Sequence, residues 1–349
     1  MTTLYETESL KAPPGLCAGR LTTPDGAILR YALARPERRP LRGTVTLLQG
    51  RAESIERHYE TISALLDRGY AVATFDWRGQ GLSSRLARNH LRGHIRAFRQ
   101  YDQDLATFMR RIVLPDCPPP HYAMAHSMGA HILLRSAWHH PWFERAVLTA
   151  PMIRIRPHRF GEGTWRLLAR LAHVTGTGRL FAPGVPKRLP DPEESTGKAL
   201  THDQARFRAI LELLHAHPQL ATAGPTLGWI HAALRSMDRL NKRADTHIPP
   251  LYPMLVIAAG DDRLVDREAA RRFAAAVGDM AFLVLHGARH DLFIEANRYR
   301  KALWAAFDSF MNIQPPQTDV TESLKSDTDR NGSGDSSRTA QRSPAALSA

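Results

Sequence analysis

The sequence predicts an α/β fold, with a mostly parallel sheet covered by helices on both faces. Two features carry this reading. Strand-like runs such as GTVTLLQG (43–50), YAVATFDW (70–77) and MLVIAAG (254–260) are apolar without alternation, as strands buried on both faces are. Helical stretches separate these runs, so successive strands lie parallel. The chain has 349 residues, 43% of them hydrophobic, enough for one large domain.

Residues 1–18 read as an N-terminal extension. It carries two glutamates and no apolar core, unlike a secretory signal. GRLTTPDGAILRYALA (19–34) reads as a hairpin turning at Pro24-Asp25-Gly26. The strand at 43–50 is followed by a helix near 56–69 and the strand at 70–77. Residues 98–113 have helical spacing. HYAMAHS (121–127) is a strand, GAHILLRSAWHH a helix and RAVLTAP (145–151) a strand. The runs at 254–260 and 281–287 are the seventh and eighth strands, each followed by a helical stretch. Residues 152–250 break this rhythm with helices interrupted by Pro and Gly, a lid-like insertion between the sixth and seventh strands. The core thus comprises 19–151 and 251–312. Residues 313–349 have almost no large apolar side chains, so a disordered tail is expected there.

Ala125-His126-Ser127-Met128-Gly129 is one residue away from G-x-S-x-G. In that motif a sharp strand-to-helix turn lifts the serine hydroxyl clear of the sheet. Small residues are needed two before and two after the serine, because strand and helix approach closely there. The plain alternative is a serine capping a helix. A nucleophilic serine needs a base, and the base an orienting carboxylate, in the chain order Ser, acid, His. The loop after the seventh strand offers Asp261, Asp262 and Asp266; the loop after the eighth offers His286 and His290. Asp262 and His290 are the choice, since His286 ends the apolar strand and His290 lies in the loop beyond Gly287. The oxyanion donors would be the backbone N–H groups of Met128 and of Arg51, in the loop Gln49-Gly50-Arg51-Ala52-Glu53.

Together QGRAES (49–54), FDWRGQGLSSR (75–85), GHIRAFRQYDQDL (93–105), AHSMGAHI (125–132), GPTLGWIHAAL (224–234), AGDDRLVD (259–266) and GARHDLFIE (287–295) resemble an α/β-hydrolase of the bacterial lysophospholipase and monoacylglycerol lipase branch. The resemblance spans nearly all of residues 20–310. It implies a serine carboxylic-ester hydrolase with Ser127 as nucleophile, Asp262 as acid and His290 as base, acting on lysophospholipids or monoacylglycerols without a cofactor. GRxES favours the lysophospholipase side. Asp76-Trp77-Arg78-Gly79-Gln80-Gly81 resembles a structural loop of the family. Two rival readings are an aminopeptidase, with Glu193 and Glu194 holding a substrate amine, and a non-catalytic binding protein on the same fold.

The 47 basic residues outnumber the 34 acidic ones, and the formal charge is +13. Only six of the basic residues are lysines. With five acidic and four basic residues in 313–349, the excess belongs to the folded part. The arginine bias is what a GC-rich genome produces; the functional alternative is attraction to a polyanion, either nucleic acid or an acidic membrane surface, with nucleic acid not expected because no recognition motif accompanies the charge. Residues 152–185 mix Ile153, Ile155, Phe160, Trp165, Leu167, Leu168 and Leu171 with Arg154, Arg156, Arg159, Arg166 and Arg170. Residues 164–174 would form an amphipathic lid helix, either packed on its own core or touching an anionic membrane and admitting one acyl chain. Cys17 and Cys117 suggest neither a disulfide framework nor a metal site. The cytoplasm is therefore the expected location, with peripheral membrane contact.

Overall fold

The computed structural model describes residues 2–37, 40–156, 161–191 and 197–312. An eight-stranded sheet forms the centre: β1 (Cys17–Thr22), β2 (Ile28–Ala34), β3 (Thr44–Leu48), β4 (Ala71–Phe75), β5 (His121–His126), β6 (Arg145–Thr149), β7 (Met254–Ala259) and β8 (Met280–Leu285). Their spatial order is β1-β2-β4-β3-β5-β6-β7-β8. The hairpin β1–β2 is antiparallel, and β2 joins β4 antiparallel. The six strands from β3 onward run parallel. Every residue of β3, β4 and β7 is buried, which explains their unbroken apolar sequence.

Helices α1 (Tyr59–Asp67), α2 (Arg99–Phe108), α3 (Leu114–Asp116) and α4 (Met128–Ser136) lie between these strands. A π-turn, Met109–Val113, joins α2 to α3. On one sheet face Ala123, Ala125, Ala146, Leu148 and Val256 pack in one cluster with Tyr101 and Leu105 of α2, Leu133 of α4 and Phe273 of α8 (Arg267–Val277). Between β6 and β7 the chain forms α5 (Glu162–Val174), α6 (Gln204–Ala216) and α7 (Leu227–Ala244). Each of the last two starts on a side-chain cap: Asp203 accepts from the Arg206 N–H and Thr226 from the Trp229 N–H, as such residues do at N-caps. Helix α9 (Asn297–Phe310) closes the described chain beside α1, where Arg68 bonds Asp308 and stacks over Trp304.

Loops after β3, β5, β7 and β8 meet at the carboxyl edge of the parallel strands. In open α/β sheets that edge is where ligands bind. The polar tail, 313–349, and the residues Arg159, Phe160, Glu193 and Glu194 lie outside the described residues. Among the described residues, no helix is long and apolar enough to cross a membrane.

Candidate active site

Ser127 sits between β5 and α4 with φ 49° and ψ −110°. For a residue with a Cβ this is strained backbone, costing about 1–3 kcal/mol. Two hydrogen bonds hold it: the Ser127 N–H donates to the Thr149 carbonyl at 2.9 Å, and the Met152 N–H donates to the Ser127 carbonyl at 3.1 Å. The turn is possible because Gly129 has no side chain. A Cβ there would lie 2.5 Å from the carbonyl oxygens of both Leu48 and Gln49. Ala125 is fully buried in the core cluster, so the methyl that replaces the usual glycine is accommodated.

The structure brings Ser127, His290 and Asp262 together. His290 Nε2 lies 3.0 Å from Ser127 Oγ, and His290 Nδ1 lies 2.7 Å from Asp262 Oδ2. The other carboxylate oxygen of Asp262 accepts the N–H groups of Leu264 and Val265 at 2.8 and 2.9 Å. All three side chains are buried. The competing candidates go elsewhere. Asp266 caps α8, His286 is exposed, and Asp261 donates its N–H to the Ala288 carbonyl in the loop after β8.

Burial works against a charged His290. The Asp262 carboxylate, helped by Asp291 and Glu53, outweighs it and raises the imidazole pKa above its ordinary value. Burial likewise pushes Asp262 upward, but His290 and the two backbone N–H donors bring it below the usual carboxylate value. A hydroxyl aligned with an imidazole whose far nitrogen faces a carboxylate can lose its proton while attacking a carbonyl carbon.

The backbone N–H groups of Arg51 and Met128 have no acceptor among the described residues. The Arg51 loop is held from three sides. Gln80 Nε2 donates to the Gly50 and Glu53 carbonyls at 2.8 and 3.2 Å, and Gln80 Oε1 accepts the Ala52 N–H. Trp77 Nε1 donates to the Gln49 carbonyl at 2.9 Å. Asp76 accepts the Ile55 and Leu82 N–H groups at 3.0 and 2.8 Å. Gly81, at φ +52°, leaves room for that carboxylate, which a Cβ would meet at 2.1 Å. The loop 76–81 therefore positions its neighbour.

One buried network is not evident from the motifs. Glu53 accepts the Gly50 N–H at 2.6 Å and lies 3.0 Å from His58 Nε2 and 3.6 Å from His126 Nε2. Asp291 accepts two N–H bonds from Arg57, at 2.6 and 3.2 Å, and the His126 ring lies 5.0 Å from that of His290. Ligand atoms of Glu53, His126 and Asp291 lie within 4.8 Å of one another. Protein donors already engage both carboxylates, so the group acts as a hydrogen-bonded support behind His290. The adjacency of Asp291 to His290 was the one signal in the sequence.

Arg154 pairs with Glu162 at 2.6 Å, and Arg156 Nε donates to the Val265 carbonyl at 3.1 Å, so these two of the expected membrane-facing cations are engaged; the third, Arg159, lies outside the described residues. On α5, Leu167, Leu171 and Val174 are 58, 51 and 76% exposed, while Ala169 and Ala172 face inward. Arg170, Arg235 and Arg239 are exposed beside this row and have no ion pair among the described residues.

The family profile described as Serine aminopeptidase, S33 (Hydrolase_4) matches residues 39–297. The chain belongs to this family. The S33 chain is 30% identical over 286 residues to "Lysophospholipase L2" of Escherichia coli K12, covering 77% of this chain and 80% of the relative. It is 28% identical over 287 residues to "Probable lysophospholipase L2" of Haemophilus influenzae, covering 81 and 87%. A crystal structure of a soluble variant of monoglyceride lipase from Saccharomyces cerevisiae, in complex with a substrate analog, superposes with TM-score 0.66 at 21% identity, covering 88% of this chain and 98% of that one. The S33 chain therefore has the α/β-hydrolase fold and is a serine ester hydrolase.

Proposed function

We propose that the protein hydrolyses the acyl ester of a single-chain lipid, a lysophospholipid or a monoacylglycerol, through Ser127, His290 and Asp262. The observation that carries this reading is the hydrogen-bonded line from Asp262 to His290 to Ser127, at 2.7 and 3.0 Å, on a strained elbow. Relatives named lysophospholipase and monoglyceride lipase support the substrate class.

Ser127 Oγ attacks the acyl carbonyl carbon while His290 Nε2 takes its proton. The N–H groups of Arg51 and Met128 bind the oxyanion, each worth about 3 kcal/mol of transition-state stabilisation. The tetrahedral adduct collapses, the ester C–O bond breaks, and His290 returns the proton to the departing alkoxide. Water then attacks the acyl-enzyme, giving its proton to His290, and the fatty acid leaves as Ser127 is restored. Asp262 keeps the proton of neutral His290 on Nδ1, so Nε2 can accept.

In this reading the helices of 152–250 form a lid over the core segments 19–151 and 251–312. The protein works in the cytoplasm and touches anionic membrane through the exposed face of α5 and its neighbouring arginines. Ser127→Ala tests the reading. It is expected to keep the melting temperature within a few degrees, to abolish turnover of p-nitrophenyl octanoate and lysophosphatidylcholine, and to block fluorophosphonate labelling. Retained turnover would overturn the assignment. Faster turnover of an aminoacyl-naphthylamide than of either ester by the wild type would favour the peptidase reading instead.

A further inference from the structure

Arg51 carries more than a backbone N–H. Its Nη2 donates to the Ala223 carbonyl at 2.7 Å, and its guanidinium stands 5.1 Å from the centroid of the Trp229 ring on α7. Its Nε is buried without a partner, and Nη1 has no acceptor among the described residues. No carboxylate neutralises it; burial alone draws its pKa down to about 10, leaving it charged near neutral pH. Arg85 provides the contrast. It is also partly buried with no carboxylate bonded to it, but its nitrogens are taken up by the carbonyls of Gly79, Gly81, His90 and Ala221 and by Thr222 Oγ1. Arg85 is a staple, whereas Arg51 retains open donors. A charge taken out of water calls for a counter-ion.

We infer that the Arg51 side chain binds the phosphate of the substrate head group, making a phosphodiester-bearing single-chain ester the preferred substrate class. The inference rests on the ester-hydrolase reading of the same site. In that reading the Arg51 N–H holds the carbonyl oxygen of the scissile ester. As many covalent bonds separate the backbone nitrogen of arginine from its guanidinium carbon as separate the carbonyl carbon of a 1-acyl lysophospholipid from its phosphorus. One residue can therefore span the substrate, with its amide at the ester and its guanidinium at the phosphate. Guanidinium forks suit phosphate oxygens, and Nε is the donor left over for a second bond. A monoacylglycerol would leave that cation unpaired.

The test compares 1-octanoyl lysophosphatidylcholine with 1-octanoylglycerol, both below their micelle concentrations, in wild type, Arg51→Gln and Arg51→Lys. All three retain the backbone N–H. The readout is the ratio of the two kcat/KM values. It is expected to favour the phospholipid in the wild type, to fall roughly 10- to 100-fold in Arg51→Gln, as for loss of a charge-assisted hydrogen bond, and to recover in part in Arg51→Lys. In the wild type, sn-glycerol 3-phosphate is expected to slow fluorophosphonate labelling of Ser127 at concentrations where glycerol does not. An unchanged ratio in Arg51→Gln, or equal effects of glycerol 3-phosphate and glycerol, would overturn the phosphate assignment while leaving the hydrolase reading intact. Wild-type enzyme that cleaves neither ester would overturn that underlying reading and this one with it.

Discussion

Replacing Asp262 by asparagine changes one atom and should reverse the proton arrangement of the site. Asp262 Oδ1 accepts two N–H groups, from Leu264 and Val265, at 2.8 and 2.9 Å. An asparagine must keep its carbonyl oxygen there, since an amide NH₂ would face two donors. Its NH₂ then occupies the place of Oδ2, 2.7 Å from His290 Nδ1. A donor at that distance requires an unprotonated Nδ1, so neutral His290 carries its proton on Nε2, toward Ser127 Oγ. The base then has no lone pair for the serine proton. The expected loss in kcat is about 10⁴-fold, or about 5.5 kcal/mol. The assay is steady-state hydrolysis of p-nitrophenyl octanoate, with a melting curve to show that the fold persists. The pH profile supplies a second readout. Asp262 outweighs burial and raises the His290 pKa, so wild-type kcat/KM should climb with pH through a midpoint above the ordinary imidazole value of about 6.5. In the variant, burial is less opposed and the midpoint should move to lower pH. The raised pKa also has a sign in stability. The folded state holds the proton more tightly, so this contribution is complete below the ordinary pKa and fades as pH rises through the folded value. A variant within 10-fold of wild type, or an unmoved midpoint, would refute the tautomer argument.

Two other perturbations probe the frame and the surface. Gly129→Ala places a methyl 2.5 Å from two backbone oxygens that cannot swing away. It should cost about 1–3 kcal/mol of stability and up to about 100-fold in turnover as the Arg51 loop shifts; unchanged melting and turnover would contradict the close approach of α4 to β3. Changing Arg170, Arg235 and Arg239 together to glutamate should weaken binding to phosphatidylglycerol vesicles, each lost cation near the surface being worth about 1 kcal/mol. The pair Arg154→Glu and Arg156→Glu should weaken it less, because those guanidinium groups are already engaged; equal binding by all variants in co-sedimentation would count against membrane contact through this face.

The strand and helix pattern was legible because buried parallel strands tolerate little but apolar residues. The runs at 43–50, 121–127 and 254–260 contain β3, β5 and β7 and overrun them by three, one and one residues. Ser127 was legible from the small residues around it, since a helix cannot begin that close to a strand unless position 129 lacks a side chain. The helices of 152–250 were visible, yet their orientation was not. A helix with alternating leucines and arginines reads the same whichever face turns inward, and here alanines pack in while Leu167, Leu171 and Val174 face out. The ion pairs were hidden for a related reason. Arg154 looked free until Glu162, eight positions on, folded back against it. Glu53 and Arg57 follow β3 whereas Asp291 follows β8, and nothing in their local sequence says that they share one buried network.

Much of the chain's acid is used to hold loops, and this connects its charge to its site. Arg30 on β2 bonds Glu56 at 2.6 and 2.8 Å and Asp76 at 2.7 Å, with all three side chains fully buried. Arg78 ties Asp104 on α2 to Asp25 in the β1–β2 turn. Such pairs add little net stability over apolar packing, but removing one partner strands a buried charge at about 3–5 kcal/mol. Their effect is geometric. Glu56 lies just beyond the Arg51 loop and Asp76 begins the loop that grips it, so Arg30 clamps the two segments on which that backbone N–H depends. Carboxylates spent in these clamps cannot neutralise arginines elsewhere. Among the described residues, the cations left without an ion pair include Arg51, beside Trp229, and the exposed Arg170, Arg235 and Arg239, the four on which the head-group and vesicle experiments act.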